Sequence, residues 1–173
     1  MMLESQRLQY ERVNGDHARE LQGILCDPRV YVNVDDGLAP TLDQLWELFL
    51  LRETGPSGDW IDETWVDYVV RIKDSQVAIG RVEATVIEQR AEVACILGVD
   101  HWGQGYGSES LAWLQGFLQK HHGVKQLWAT VTPGNRASKY LLLKNGYVEV
   151  LRDPLPPLRS YDRNDWVFCK VIP

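Results

Sequence analysis

The sequence has few cysteines, more acidic than basic residues, and no long apolar run. Its three cysteines, Cys26, Cys95 and Cys169, are far apart and lie in apolar segments. They therefore predict neither a CxxC metal pair nor a disulfide framework. We expect no metal site, and buried thiols in a reducing cytoplasm.

Charge and hydropathy exclude two classes of partner. Lysine and arginine number 18 against 24 aspartate and glutamate, a net charge of −6. Nucleic-acid-binding proteins usually carry a basic face, so we expect no direct nucleic-acid partner. No apolar run approaches the ~20 residues that a membrane helix needs, and the opening MMLESQRLQYERV has charges where a signal peptide is apolar. We therefore expect a cytoplasmic protein without a membrane partner.

What is present is an ordinary globular composition, with 45% hydrophobic residues over 173 positions. This length predicts one domain over residues 1–173. Apolar periodicity predicts helices after Asp16, after Thr41, after the glycines near 105, and from Asn135 to Asn145. In the second of these, Leu45, Trp46 and Phe49 are expected to face inward. Predicted strands are 3–13, 65–72, 76–87, 92–99, 127–132, 147–151 and 165–172. This order predicts a mixed α/β fold without strict βαβ alternation.

A glycine-rich stretch, GVDHWGQGYGSESLAW at 98–113, runs directly into a predicted helix. Such a turn can cradle phosphates, because exposed N–H groups and the helix dipole both face an anion there. A structural turn without a ligand is an alternative. A dinucleotide fingerprint fails on spacing and on the missing downstream acid, and a Walker A loop fails because no lysine follows Gly107.

Two motifs resemble the GNAT superfamily of acetyl-CoA-dependent N-acetyltransferases. WGQGYGSESL resembles the family's pyrophosphate loop, and TPGNRASKYLLLKNGYVEV (132–150) resembles its second motif. LESQRLQYERV and WGQGYGSES look most like the ribosomal-protein N-terminal acetyltransferase branch. The resemblance implies a mostly antiparallel central sheet of about seven strands with a V-shaped splay between strands 4 and 5. About four helices would flank that sheet.

The resemblance also implies which residues hold acetyl-CoA. Backbone groups of Leu97, Gly98 and Val99 would pair with the pantetheine arm, and Asn135 would hold its end. Gly98 inside a strand also indicates a bulge or close backbone approach, with a packing glycine as the alternative; for Asn135 the alternative is a helix N-cap. N–H groups around the pyrophosphate would come from the loop residues Gln104, Gly105, Tyr106, Gly107 and Ser108. Trp102 stands where the general family pattern has glutamine or arginine, so the loop would bind the pyrophosphate through backbone N–H groups and not through a charged side chain.

The resemblance implies fewer catalytic residues than acetyl-CoA-binding residues. The tyrosine acid of many GNAT enzymes is replaced by Leu142, which leaves Ser138 as proton donor or thiolate partner. The N–H of Val99 is a candidate oxyanion donor. Glu83, flanked by apolar residues, is a candidate general base, although pairing with Arg81 or Arg71 would equally explain it.

The function implied is acetyl transfer from acetyl-CoA to a primary amine, a protein N-terminus or a small molecule, by direct attack in a ternary complex. A catalytically decayed CoA-binding module with a regulatory or assembly role is the alternative, and an NAD-type binder is a second one. In this family the acceptor is chosen by the segment corresponding to residues 28–65 and by the final hairpin. That segment is acidic and tryptophan-bearing here, which suits a cationic acceptor. Similar proteins are often dimers, so a homodimer is left open.

Overall fold

The computed structural model describes residues 3–34, 36–151 and 154–173, so Asp35 of the 28–65 segment lies outside the described residues. Its first half contains strands β1 (Leu3–Glu4) and β2 (Leu8–Arg12), helices α1 (His17–Leu25), α2 (Pro28–Tyr31) and α3 (Leu42–Thr54), and strands β3 (Thr64–Ile72), β4 (Ala78–Ile87) and β5 (Arg90–Leu97). Its second half contains α4 (Tyr106–His122), β6 (Gln126–Val131), α5 (Arg136–Lys144), β7 (Val148–Glu149) and β8 (Trp166–Val171). Short 3-10 helices occupy Gly58–Trp60 and Val99–His101.

The eight strands of the described residues join one sheet in the order β1-β2-β3-β4-β5-β6-β8-β7. The pairs are antiparallel except for β5 and β6, which are parallel. This confirms the mixed, mostly antiparallel fold. The expected strand 3–13 is divided, because the chain turns at residues 5–7 and β1 folds back beside β2. That turn accounts for the eighth strand.

Helices cover both faces of the sheet. On one face, α4 buries Leu111, Leu114 and Leu118 in the larger apolar core. On the other face, α1 and α3 enclose a smaller core that includes Leu45 and Phe49. These cores hold the sheet between two layers.

Local signals place the ends of the helices. Thr41 and Gln44 form the predicted capping box at the start of α3, and Gly146 after α5 has a φ of 82°, as expected of a left-handed helix end. Trp46 of α3 was expected inside and is 48% exposed; that prediction is wrong. Its position lies one residue off the stripe set by Leu45 and Phe49, which are four residues apart.

None of the helices over the described ranges combines the length and apolar character that a membrane span requires.

Candidate functional site

Strands β5 and β6 lie side by side only at their beginnings. Arg90–Glu92 pair with Gln126–Trp128. Beyond Glu92, β5 continues beside β4 as far as Leu97, while β6 continues beside β8 as far as Val131. The two strands therefore separate toward their carboxyl ends, which confirms the predicted V-shaped splay.

The edge of β5 that faces this opening carries unused backbone groups. Gly98 N–H donates to Ile79 O on β4 at 2.9 Å, and backbone groups alternate in direction along a strand. Leu97 is therefore oriented toward the opening. Val99 N–H is oriented the same way, because Gly98 is extended and Val99 N–H points opposite to the Gly98 carbonyl of the same trans peptide group. Among the described residues, none accepts a hydrogen bond from Val99 N–H. The donor predicted at Val99 is thus available.

Trp102 occupies part of the same edge. Its Nε1–H donates to Leu97 O at 2.7 Å, which fixes the turn after β5 to the end of the strand. At Gly98, φ is −59° and ψ is 144°, an extended conformation, and β5 pairs with β4 in regular register as far as Leu97. A Cβ at this position would lie 3.0 Å from Ile24 Cγ2 of α1. The close contact that favours glycine at position 98 is therefore with helix α1. This agrees with the alternative in which Gly98 is a packing glycine.

The glycine-rich loop presents a run of free donors. Over the ranges that the structure describes, no residue accepts a hydrogen bond from the N–H groups of residues 103 to 108. The loop leads into the N-terminus of α4, where Glu109 N–H makes the first bond, to Gly105 O at 3.1 Å. Unpaired N–H groups and the positive end of the helix dipole point the same way. This arrangement suits a phosphate or pyrophosphate group.

The glycines of this loop serve two purposes. Gly103 and Gly105 have φ values of 73° and 84°, a backbone conformation that residues with a Cβ adopt at a cost. Gly107 instead makes room for α5, because a Cβ there would lie 3.2 Å from Leu141 Cδ2. Ser108 Oγ accepts a hydrogen bond from Asn145 Nδ2 at 3.0 Å, which ties α4 to the end of α5.

The second motif forms the start of α5, directly after β6. Asn135 Oδ1 accepts a hydrogen bond from Ser138 N–H at 3.1 Å, so the N-cap that was one alternative for Asn135 is present. The Ser138 hydroxyl makes no hydrogen bond to another described residue. A free hydroxyl at Ser138 is compatible with its predicted role.

Glu83 lies on the face covered by α3, within a cluster of four charged side chains. Its Oε2 accepts from Arg52 Nη2 at 2.7 Å and contacts Arg81. Arg81 Nη2 also lies 3.0 Å from Asp67 Oδ2, and the side chains of Arg81 and Asp67 are each 4% exposed. Burial raises the pKa of Asp67, an effect that Arg81 and Arg52 oppose. Glu83 therefore pairs with Arg81, as one alternative predicted. Its second partner is Arg52 and not Arg71.

Further carboxylates beside the opening are also occupied. The backbone N–H groups of Arg159 and Ser160 donate to Glu92 at 2.6 and 3.0 Å. The Arg159 guanidinium pairs with Glu63, whose side chain is 4% exposed. The chain segment around residue 160 therefore lies against the sheet at Glu92 of β5. Glu63 is a buried acid of the 28–65 segment, which was expected to favour a cationic acceptor, and its carboxylate is already paired with the Arg159 guanidinium.

Two residues beside the site were not predicted. Arg7, in the turn between β1 and β2, donates from Nη1 to Gln104 O at 3.0 Å. Gly80, opposite Leu97 on β4, has a φ of 151°. Glycine's conformational freedom could have drawn attention to Gly80 inside a strand, whereas no local pattern links Arg7 to a loop almost a hundred residues away.

Among the described residues, no group of three or more His, Cys, Asp or Glu side chains is placed to hold a metal ion.

Comparison with known proteins agrees with this geometry. The model of the acetyltransferase (GNAT) domain family matches residues 7–148. The structure is similar to that of a GNAT-family acetyltransferase from Bacillus anthracis, with a TM-score of 0.76, 14% identity, and coverage of 99% of this chain and 98% of that one. A putative ribosomal-protein-serine acetyltransferase from Vibrio cholerae has a TM-score of 0.72 and 20% identity, covering 99% and 98% of the two chains.

A third similar structure is a ribosomal α-N-protein acetyltransferase, RimL, in complex with coenzyme A. Its TM-score is 0.74 at 14% identity, with coverage of 99% of this chain and 98% of that chain. Comparison with the curated protein sequences finds no match.

Proposed function

Since the chain belongs to the acetyltransferase (GNAT) family, whose members use acetyl-CoA as co-substrate, we propose that it acetylates a primary amine by direct attack in a ternary complex. The observation that supports this most strongly is the position of the free N–H groups of residues 103 to 108 beside the splayed end of β5. One side of the opening can bind a pyrophosphate, and the adjacent strand edge can pair with an amide-bearing arm. We also treat residues 1–173 as one catalytic domain, because one sheet includes strands from Leu3 to Val171.

The residues proposed to bind acetyl-CoA fit these two requirements. N–H groups from Gln104 to Ser108 are proposed to bind the pyrophosphate, and the N–H groups of Leu97 and Val99 are proposed to pair with the pantetheine arm. Gly98, predicted with them, lies between them but uses its own N–H for Ile79 O and its carbonyl for His101 N–H, both at 2.9 Å. Asn135 keeps its amide Nδ2 as a donor for the end of that arm, since its Oδ1 caps α5. An extended amide-bearing chain pairs with an open strand edge as a further strand would.

The transfer has a simple balance. The amine lone pair attacks the thioester carbonyl carbon and a C–N bond forms, while the C–S bond breaks and coenzyme A leaves as its thiolate. The amine gives up one proton, which a general base or a water relay accepts. Val99 N–H is proposed to stabilise the negative charge that develops on the carbonyl oxygen. The Ser138 hydroxyl is proposed to donate a hydrogen bond to the departing sulfur.

The general base stays a prediction. Glu83 is the candidate, but Arg52 and Arg81 already contact its carboxylate, so accepting a proton competes with two ion pairs. A pH–rate profile of Glu83→Gln decides between base and ion-pair partner. Loss of the acidic limb of the profile supports the base, and an unchanged limb supports a structural role.

For the acceptor we propose a primary amine, with a protein α-amine as one class. Two of the similar structures are named as acting on ribosomal proteins, which supports including peptide N-termini. Polyamines, amino sugars and free amino acids form the other classes. A homodimer and a cytoplasmic location stay predictions.

The test is amine-dependent thiol release from acetyl-CoA, measured over a panel of N-terminal peptides, polyamines, amino sugars and amino acids. Mass spectrometry of the amine product should show one added acetyl group. Tight binding of acetyl-CoA without turnover on any amine would instead favour the CoA-binding module. Binding of NAD and not of acetyl-CoA would contradict both.

A further inference from the structure

Arg7 is held against the glycine-rich loop by contacts from several directions. Its Nε donates to Glu109 Oε2 at 2.7 Å, and its backbone N–H donates to Glu109 Oε1 at 2.6 Å. The guanidinium lies over the ring of Tyr106, 4.6 Å from the centroid. Its Nη1 donates to Gln104 O. Ser5 Oγ also donates to Glu109 at 2.7 Å, so the turn between β1 and β2 is fastened to the first turn of α4.

The bond to Gln104 O sets the direction of a donor in the loop. Gln104 C=O and Gly105 N–H belong to one peptide group, and in a trans peptide these two bonds point in opposite directions. Holding the carbonyl toward Arg7 therefore turns Gly105 N–H away from Arg7. The next peptide group is fixed as well, because Gly105 O accepts from Glu109 N–H.

The charge of Arg7 is already matched. Its carboxylate partner, Glu109, is only 14% exposed in its side chain, whereas the Arg7 side chain is 43% exposed. An unpaired carboxylate in the first turn of α4 would repel an anion bound at the helix N-terminus. Arg7 removes that repulsion and at the same time orients the loop.

We propose that Arg7 is a positioning residue for pyrophosphate binding, acting through the peptide group of Gln104 and Gly105 and through Glu109. The proposal rests on the proposed function, because it takes the loop as the pyrophosphate site. It assigns the β1–β2 turn, far from the glycine-rich motif in sequence, to the co-substrate site.

The variants are Arg7→Met, which keeps the aliphatic stem, and Arg7→Lys, which keeps the charge but cannot span Glu109, Gln104 O and the ring of Tyr106 together. Calorimetry should show acetyl-CoA binding about tenfold weaker for both variants. Kinetics with S-acetylpantetheine, which lacks the pyrophosphate, should give a KM within twofold of wild type. In the free protein, amide NMR should show one set of signals for Gly103 and Gly105 in wild type and exchange-broadened signals in Arg7→Met.

The outcomes separate the explanations. Full recovery of acetyl-CoA affinity in Arg7→Lys would mean that only charge matters and would overturn the proposal. Equal losses for acetyl-CoA and S-acetylpantetheine would indicate general structural damage and would also overturn it. If the wild type binds acetyl-CoA and Arg7→Met binds it with the same affinity, this inference is contradicted but the proposed function is not. Absence of acetyl-CoA binding by the wild type contradicts the proposed function together with it.

Discussion

Replacement of Gly80 by alanine tests the contact between β4 and β5 beside the opening. A Cβ at Gly80 would lie 2.1 Å from Ile96 O and 2.8 Å from Leu97 Cα, and both are backbone atoms that a side-chain rotation cannot move away. The φ of 151° adds conformational strain. Overpacking and backbone strain each cost about 1–3 kcal/mol, so we expect the free energy of unfolding to fall by about 3 kcal/mol. Because β5 must shift at Leu97, acetyl-CoA affinity should fall too.

Urea unfolding followed by tryptophan fluorescence measures this free energy. Gly23→Ala is the matched control: Gly23 lies in α1, and a Cβ there meets nothing within 4 Å. It should raise the free energy of unfolding by about 0.5–1 kcal/mol, as alanine does inside a helix. If Gly80→Ala unfolds within about 0.5 kcal/mol of wild type, the close approach of the two strands is not as described.

Three further predictions concern the site and its support. Ser138→Ala should lower kcat several-fold while leaving the Kd for acetyl-CoA unchanged; wild-type turnover would remove Ser138 from the chemistry. Asp67→Asn should lower the free energy of unfolding in urea by about 3 kcal/mol, because it leaves Arg81 buried without its full countercharge. The double variant Asp67→Leu/Arg81→Met should recover part of that loss, and a double variant that loses the sum of the two single losses would contradict the pairing. Partial burial opposes ionisation of Glu109, but hydrogen bonds from Arg7 and Ser5 prevail and lower its pKa. The stability that this gives is present above the unfolded-state pKa of about 4.3 and is lost as pH falls through the lower folded-state pKa. The acid limb of unfolding should therefore be shallower in Glu109→Gln, and an identical limb would refute the pairing.

Much of the fold followed from local patterns. Alternation in β3, β4 and β5, the capping box at Thr41 and the glycine after Asn145 depend on neighbouring residues, so the sequence predicted them. The first strand was less predictable. Residues 3–13 divide because β1 turns back to pair with β2, and the alternation of apolar residues does not reveal such a turn. Trp46 shows a similar limit, since exposure depends on where α3 lies over the sheet.

The candidate site divides in the same way. The glycine loop could be recognised from its residues, because conformational freedom and free N–H groups belong to the backbone of that segment itself. The contacts of Arg7 with Gln104 and Glu109 join segments about a hundred positions apart, and only the folded chain brings them together. Glu83 was ambiguous for the same reason, because Arg52 reaches it from α3.

Calorimetric titration of acetyl-CoA into Gly105→Glu tests most directly whether the glycine loop is the co-substrate site. The introduced carboxylate would stand at the helix N-terminus beside the free N–H groups. Gly123→Glu is the control, since Gly123 has a φ of 62° with nothing within 4 Å of its Cβ and lies at the opposite end of α4. We predict wild-type affinity for Gly123→Glu and affinity at least about tenfold weaker for Gly105→Glu. Equal affinities for the wild type and Gly105→Glu would contradict the account.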